Sequence, residues 1–406
     1  MTDKYTSHFS INNIPYGIAS SPSHPDPQAV TRICDTVIFL SPLSATPPFT
    51  SIPPLSSILL HPTLNTFAAL PSSTHTQIRL AIQSAYKQDL HKLHSEDISN
   101  VTLHMPVAIG DFTDYSASTN HVLNASHAVT GTRAYPPGFH KYPIGYAGRC
   151  SSIEVSPTSV VRPLGQFIED YSAPEKEIIF GPTCALDYEL EVGAVIGTPV
   201  EPGTYLEAKD ADKHIFGLVL VNDWSARDVQ GLEMNPLGPF NGKNFKTTIS
   251  PWVVPMDALK PFAVKAPKRM APVAGFMDDE GAPNYRIRLS SEVVRKGVRT
   301  KTCTVGFETM YWTFRHMLAH HTVGGCGLRT GDLVASGTVS GDLDYEHGCL
   351  LEMTKNGRVA TKLSDGSELR YLEDGDEVVY TGVVGSGEEG VGFGDIVGVI
   401  QPAKKP

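Results

Sequence analysis

The run ALDYELEVGAVIG, residues 185–197, constrains this chain more than any other stretch. Glu189 and Glu191 lie two positions apart in a segment of strand character. Successive side chains on a strand alternate faces, so both carboxylates point the same way. Like charges on one face repel unless a cation or a positive side chain lies between them. Further carboxylates stand in two segments that resemble each other, Asp114 in DFTDYSASTNH and Asp223 in FGLVLVNDWSARD. Four acidic residues from three separated segments suggest a hard divalent ion, Ca²⁺ or Mg²⁺, held through oxygen. Taken singly, each has a plainer reading. The glutamates could form a solvated strand face, and Asp114 and Asp223 could cap turns.

At 406 residues the chain is long for one core, so two domains are expected. A net charge of −10 without acidic blocks argues against nucleic acid as a partner. The 36 glycines and 31 prolines imply many turns and few long helices, hence a mainly β, α+β fold. Six cysteines are scattered without a CxxC pair, and the opening MTDKYTSHFS has no signal-peptide pattern. Reduced thiols in a cytoplasmic protein are the resulting expectation. No apolar run approaches the roughly 20 residues of a membrane span.

Residues 1–105 are rich in Ser, Thr and Pro and carry no cluster of reactive side chains. They read as a small β-rich support with a helix at its end, TQIRLAIQSAYKQDL. Residues 106–406 hold the chemistry. His121 follows Asp114 by seven positions, and TRAYPPGFHKYPIGYAGRCSS is a loop of the kind that lines pockets. HIFGLVLVNDW reads as a strand ending at Asp223; if the following SARDVQ is helical, Asp223, Arg227 and Gln230 share one face. Lys243 sits in a Gly-flanked turn, and Thr338 and Glu352 read as polar residues at strand ends. VGFETMYWTFRHMLAHHTVGG is the best helix candidate. Its adjacent His320 and His321 point about 100° apart, so a capping or core role suits them better than one shared ion. The tail from LEDGDEVVYTGVV to VGFGDIVGVIQP reads as closing strands, and VGFGD is neither a P-loop nor GxGxxG.

These phrases together resemble the fumarylacetoacetate hydrolase family. They are GDFTDY with its later histidine, GYAGRCSS, LDYELEVG, FGLVLVNDWSARDVQ, PLGPFNGKNFKTTISPWVVPMDAL, MYWT with HHTVGG, and GLRTGDLVASGTVSG. They run in family order from about residue 107, while the first hundred residues match weakly. The resemblance implies a small SH3-like N-terminal β-barrel, a larger C-terminal β-roll and a homodimer. It implies that Asp114, Glu189, Glu191 and Asp223 hold Ca²⁺, and that Asp223, Lys243 and Thr247 surround a second cation, Mg²⁺. His121 matches the general base and Glu352 the carboxylate orienting it. Arg227, Gln230 and Lys243 match the groups around the oxyanion, and Tyr146 and Thr338 match substrate contacts.

The implied reaction is hydrolysis of a carbon–carbon bond in a 1,3-diketone acid, most simply fumarylacetoacetate in tyrosine and phenylalanine breakdown. Its obstacle is a carbanion leaving group. A neighbouring carbonyl turns that charge into an enolate, which a Lewis acid stabilises. Water deprotonated by an imidazole near neutral pH would be the nucleophile. The same resemblance leaves other outcomes open: acylpyruvate hydrolysis, oxaloacetate decarboxylation, or a metal-binding homologue without catalysis. Having both His121 and Glu352 favours hydrolysis. The positions that read the substrate's ends depart from the animal enzymes. Ser116 and Met234 stand where tyrosines are usual, Thr130 where an arginine would meet a carboxylate, and Ala147 where a histidine is usual. These changes imply an altered acyl side, unless Arg133, Tyr135 or Lys141 compensates.

Overall fold

The computed structural model describes residues 8–53 and 55–405. Its centre is the strand Ile215–Asp223, in which every residue is buried. A strand covered on both faces reads as a continuous apolar run, which is what IFGLVLVND shows. Leu218 and Leu220 pack with Val192, Ala194, Leu289, Val378 and Tyr380 on one side. Val219 and Val221 pack on the other with Val195, Leu333, Tyr16, Ile18, Phe67 and Ile78. The strand's alternation therefore joins two cores across one sheet.

That sheet runs Gly145–Ala147, Phe112–Tyr115, Leu333–Ala335, Leu190–Ile196, Ile215–Asp223, Thr247–Ile249 and Ile153–Val155, with Val254–Pro255 paired on its long central strand. A second sheet orders Val298–Gly306, Arg288–Arg295, Glu377–Val384, Ile396–Gln401 and Thr158–Val161. The N-terminal sheet orders Ser95–Asp97, Thr36–Phe39, Gln28–Ile33, Tyr16–Ser20 and Thr102–His104, all antiparallel. The fold is a sheet-dominated α+β one, with a small N-terminal β domain and a larger roll of two half-barrel sheets. No helix among the described residues is long and apolar enough to cross a membrane.

Several local expectations need correction. The helix Ser72–Lys87 buries Ile78, Ala81, Ile82 and Ala85, the spacing of one helical face. It does not end the N-terminal unit, because Ser95–Asp97 and Thr102–His104 follow it. Those strands are short and half polar, so they lack an alternating signal. The C-terminal helix candidate shrinks to Phe314–Thr322. Its expected start is strand up to Gly306 and one 3₁₀ turn, Phe307–Thr309. The backbone N–H groups of Tyr311 and Trp312 then donate to Ala117 O at 3.0 and 3.2 Å, which holds that stretch out of a helix.

Gly337 turns the chain after Leu333–Ala335. Its φ is +74°, and a Cβ there would lie 1.9 Å from Tyr115 O. Gly337→Ala is expected to cost about 2 kcal/mol or more, read as a lowered denaturant midpoint. A midpoint equal to that of the parent protein would contradict this packing.

Candidate active site

His121 enters on the helix Thr119–Thr130, whose first turn is capped by Ser118 Oγ accepting from His121 N at 3.2 Å. The ring is buried, and its Nδ1 lies 2.7 Å from Glu352 Oε1. A carboxylate on Nδ1 fixes the tautomer and leaves Nε2 as the basic nitrogen. Glu352 is itself held, accepting from Ser340 Oγ at 2.7 Å and Asn124 Nδ2 at 3.0 Å. Burial alone would raise its pKa, but the His121 charge and the hydrogen bonds from His121 and Ser340 bring it below the ordinary carboxylate value. Glu352 lies in the short helix Leu350–Met353 and Thr338 in a loop, so neither stands at a strand end. Apolar LLEM among turn residues carried no periodicity long enough to show that helix.

The carboxylate cluster assembles at one end of the central sheet. In register, Gly193 faces Ala335 and Ala335 faces Asp114, while Glu191 faces Val221 and Asp223 faces Thr247. Paired residues share a face. Glu189 directly precedes the strand Leu190–Ile196 and still reaches the same point. One ligand oxygen each from Asp114, Glu189, Glu191 and Asp223 lies within 4.8 Å of the others. All four residues are 5 % exposed or less.

Two buried cations answer part of this charge. Lys243 Nζ donates to Glu189 Oε2 at 2.6 Å and Asp223 Oδ2 at 2.7 Å. Arg227 places Nη1 2.7 Å from Glu189 Oε1 and donates from Nε to Asp187 Oδ2 at 2.8 Å. Burial raises the Glu189 pKa, but Lys243 and Arg227 outweigh it and hold the group well below the usual range. The opposite holds for Asp114, pushed far up by burial and by Asp223, and for Glu191, pushed far up by burial and by Asp114. Asp114 Oδ1 and both Glu191 oxygens are buried without a hydrogen-bond partner. Unpaired buried carboxylates are costly. Together with an all-oxygen donor set, these orphaned atoms fit a hard divalent cation. Lys243, protonated and donating to two carboxylates, stands beside the cluster as a counter-cation rather than as a ligand. Thr247 Oγ1 donates to Asp223 Oδ1 at 3.1 Å, so it stands directly beside this carboxylate.

Asp223 and Arg227 do not share a helix face: Asp223 ends a strand, and the helix is Arg227–Glu233. The strand's pairing with Thr247–Ile249 overrides the helical spacing. Within the helix, Arg227 Nη1 donates to Gln230 Oε1 at 3.1 Å. Lys243 lies on a single helical turn, Asn241–Asn244. Gly242 lets that turn touch the Gln230 backbone, since a Cβ there would meet Gln230 N at 2.7 Å.

One cavity of about 1620 Å³ brings together Asp114, Ser116, His121, Thr130, Tyr146, Glu189, Arg227, Gln230, Met234 and Lys243. Tyr146 Oη donates to Asp223 Oδ2 at 2.7 Å. Glu191, Asp223, Thr247 and Glu352 sit behind that wall, as does Thr338, whose buried hydroxyl has no partner. Of the compensating residues considered, Tyr135 lines the cavity and Arg133 donates to Asn124 Oδ1 at 2.9 Å. Lys141 donates to Pro272 O, on a separate groove. His321 Nε2 lies 2.8 Å from Thr113 Oγ1 and His320 stacks on Tyr142, so neither joins the cluster.

Asp187 was not singled out from the sequence. It is fully buried, takes Arg227 Nε, and accepts from Leu350 N and Leu351 N at 2.7 and 2.9 Å. One carboxylate thus anchors both Arg227 and the helix that carries Glu352. The signal was present, because Asp187 precedes Glu189 and Glu191 at the same spacing of two.

Residues 12–106 match the family described as fumarylacetoacetase N-terminal, and residues 112–398 the fumarylacetoacetate (FAA) hydrolase C-terminal family. The chain is 41% identical over 419 residues to the fumarylacetoacetase of Aspergillus fumigatus, covering 98% of this chain and 97% of that one. It is 40% identical over 411 residues to the Arabidopsis thaliana fumarylacetoacetase (98% and 96%) and 38% identical over 412 residues to that of Bos taurus (98% and 97%). Among solved structures, fumarylacetoacetate hydrolase from Exiguobacterium antarcticum shares the fold at TM-score 0.53 and 15% identity, covering 96% of this chain and 100% of that one. The chain therefore belongs to the fumarylacetoacetate hydrolase family, as a hydrolase of carbon–carbon bonds in ketonic compounds.

Proposed function

We propose that this chain hydrolyses fumarylacetoacetate to fumarate and acetoacetate, with Asp114, Glu189, Glu191 and Asp223 holding one divalent cation. The observation that carries the reading is that His121, paired with Glu352, lines the same cavity as Asp114 and Glu189 of the buried carboxylate cluster. A hard cation there would supply Lewis-acid stabilisation of enolate charge. The chain's own residues do the rest. His121 Nε2 takes a proton from water, and Glu352 stabilises the imidazolium that results. The hydroxide adds to the acyl carbonyl. Arg227 Nη2, buried without an acceptor, and Lys243 Nζ are donors for the oxyanion that develops. Gln230 accepts from Arg227 through its oxygen, which leaves its amide N–H groups for substrate. As the carbon–carbon bond breaks, the electron pair leaves on the acetoacetate carbon, and His121 returns the proton there.

The reading is tested by product analysis: fumarate and acetoacetate in equal amounts are expected, and neither product would overturn it. Glu352→Gln is expected to lower kcat by about 10²- to 10⁴-fold, since the tautomer and the imidazolium lose their support. A kcat within threefold of the parent would remove Glu352 from the mechanism.

The division into residues 1–105 and 106–406 belongs to the same proposal. It is supported by sheet membership, which changes between Thr102–His104 and Phe112–Tyr115. A homodimer and a cytoplasmic location are carried with it. The six cysteines form no disulfide among the described residues, which fits a reducing compartment, and sedimentation of the purified chain tests the dimer.

A further inference from the structure

The cationic side chains on the cavity wall other than Arg358 each face a carboxylate. Arg227 and Lys243 are held by Asp187, Glu189 and Asp223. His121 is held by Glu352, and Arg370 lies 3.8 Å from Glu368. Glu373 on the same wall pairs with Arg295. Arg358 differs: among the described residues it makes no ion pair, and it donates from Nη2 to Ala128 O at 2.6 Å. It is exposed to the cavity beside Ser126, Val129 and Thr130.

The chain presents this arginine on a built turn. Lys355, Asn356 and Gly357 all have positive φ, at +52°, +58° and +74°. Asn356 N donates to Leu351 O at 2.8 Å, Gly357 N to Thr354 Oγ1 at 3.0 Å, and Tyr371 Oη to Asn356 Oδ1 at 2.7 Å. The residue is thus held at its backbone by the turn and at its guanidinium by a helix carbonyl. Its contact, Ala128, lies seven residues beyond His121 on the same helix, ~10 Å along the axis. An acyl group with its carbonyl near His121 and extended along this helix would bring its distal end to this wall. Thr130 offers no charge there, and its hydroxyl donates back to Ser126 O at 2.8 Å.

We infer that Arg358 is the residue that selects an anionic acyl end, binding the terminal carboxylate of a diketone diacid through the guanidinium donors that Ala128 leaves free. This rests on the proposed hydrolysis for the identity of the acyl group. A planar guanidinium matches a carboxylate with two parallel N–H···O bonds, which a lysine cannot do.

The test compares the parent protein with Arg358→Gln on two substrates: fumarylacetoacetate, and an analogue whose acyl-terminal carboxylate is replaced by a methyl group. For fumarylacetoacetate KM is expected to rise about 10- to 100-fold, the worth of a charged hydrogen bond, with kcat little changed. KM for the neutral-ended analogue should not move. Arg358→Lys should recover part of the loss, and Thr130→Arg added to Arg358→Gln should recover more. An unchanged KM for the diacid, or an equal rise for both substrates, would overturn the assignment, the second marking a merely structural role. Calorimetric titration with fumarate needs no turnover. Binding that weakens about 10-fold or more in Arg358→Gln supports the inference even if cleavage fails, and failure of the parent to bind fumarate contradicts it.

Discussion

Replacing His121 with alanine is expected to lower kcat by about 10³-fold or more while cation binding survives. The two effects separate because the groups do. His121 makes its hydrogen bond to Glu352 and not to the carboxylate cluster, whose members come from the strand ends. The ring is the basic group with a free nitrogen toward the cavity, so no neighbour replaces it. Folding should tolerate the change, since Glu352 keeps Ser340 and Asn124 as donors and Ser118 still caps the helix through the backbone of residue 121. The check is kcat measured beside calorimetric Ca²⁺ titration. A variant that retains a tenth of the parent kcat would exclude His121 as the base. One that loses both kcat and cation would place it in the cluster.

The second large effect concerns Glu191. Both of its oxygens are buried and unpartnered, and Asp114 beside it has one such oxygen. Without a divalent cation this is stored repulsion, so neutralising one member should relieve it. Glu191→Gln without added metal is expected to melt at or above the parent protein. With Ca²⁺ at a hundred times its Kd, the parent gains about 2.7 kcal/mol and the variant much less. Activity in the variant should fall about 10²-fold or more, as several kcal/mol of charge stabilisation is lost. The crossing of the two stability orders is the diagnostic, because a glutamate with a purely structural role would destabilise the variant with or without metal. Equal Ca²⁺ stabilisation of both proteins would remove Glu191 from the ligand set.

Much of this site could be read in the chain because strand periodicity is short and local. Glu189 and Glu191 stood out by a spacing of two, although that spacing alone allowed a solvated face and only the family resemblance pointed to a ligand role, and the apolar run before Asp223 announced a strand buried on both faces. What stayed hidden depends on tertiary contact. Asp187 obeys the same spacing, yet its function as an anchor appears only when Arg227 and Leu350 arrive from 40 and 163 residues away. Ser340 and Asn124 are ordinary polar residues until Glu352 is placed between them. The helix expected to begin near Val305 failed for a similar reason, because Ala117 O captures the backbone of Tyr311 and Trp312. Asp223 ends its strand as expected, but it shares no helix face with Arg227 and Gln230, because the helix begins only at Arg227. Arg358 lies in a turn with no motif, and only the cavity reveals what it faces.

The most direct test of the central claim is a steady-state assay of the purified protein on fumarylacetoacetate, following loss of the substrate's absorbance, with and without a chelator. The expected result is rapid cleavage that the chelator abolishes and that added Ca²⁺ or Mg²⁺ restores. Cleavage that continues at full rate in chelator, with the cation shown to be removed, would contradict a catalytic role for the Asp114–Glu189–Glu191–Asp223 cluster. No cleavage with the cation bound would contradict the substrate.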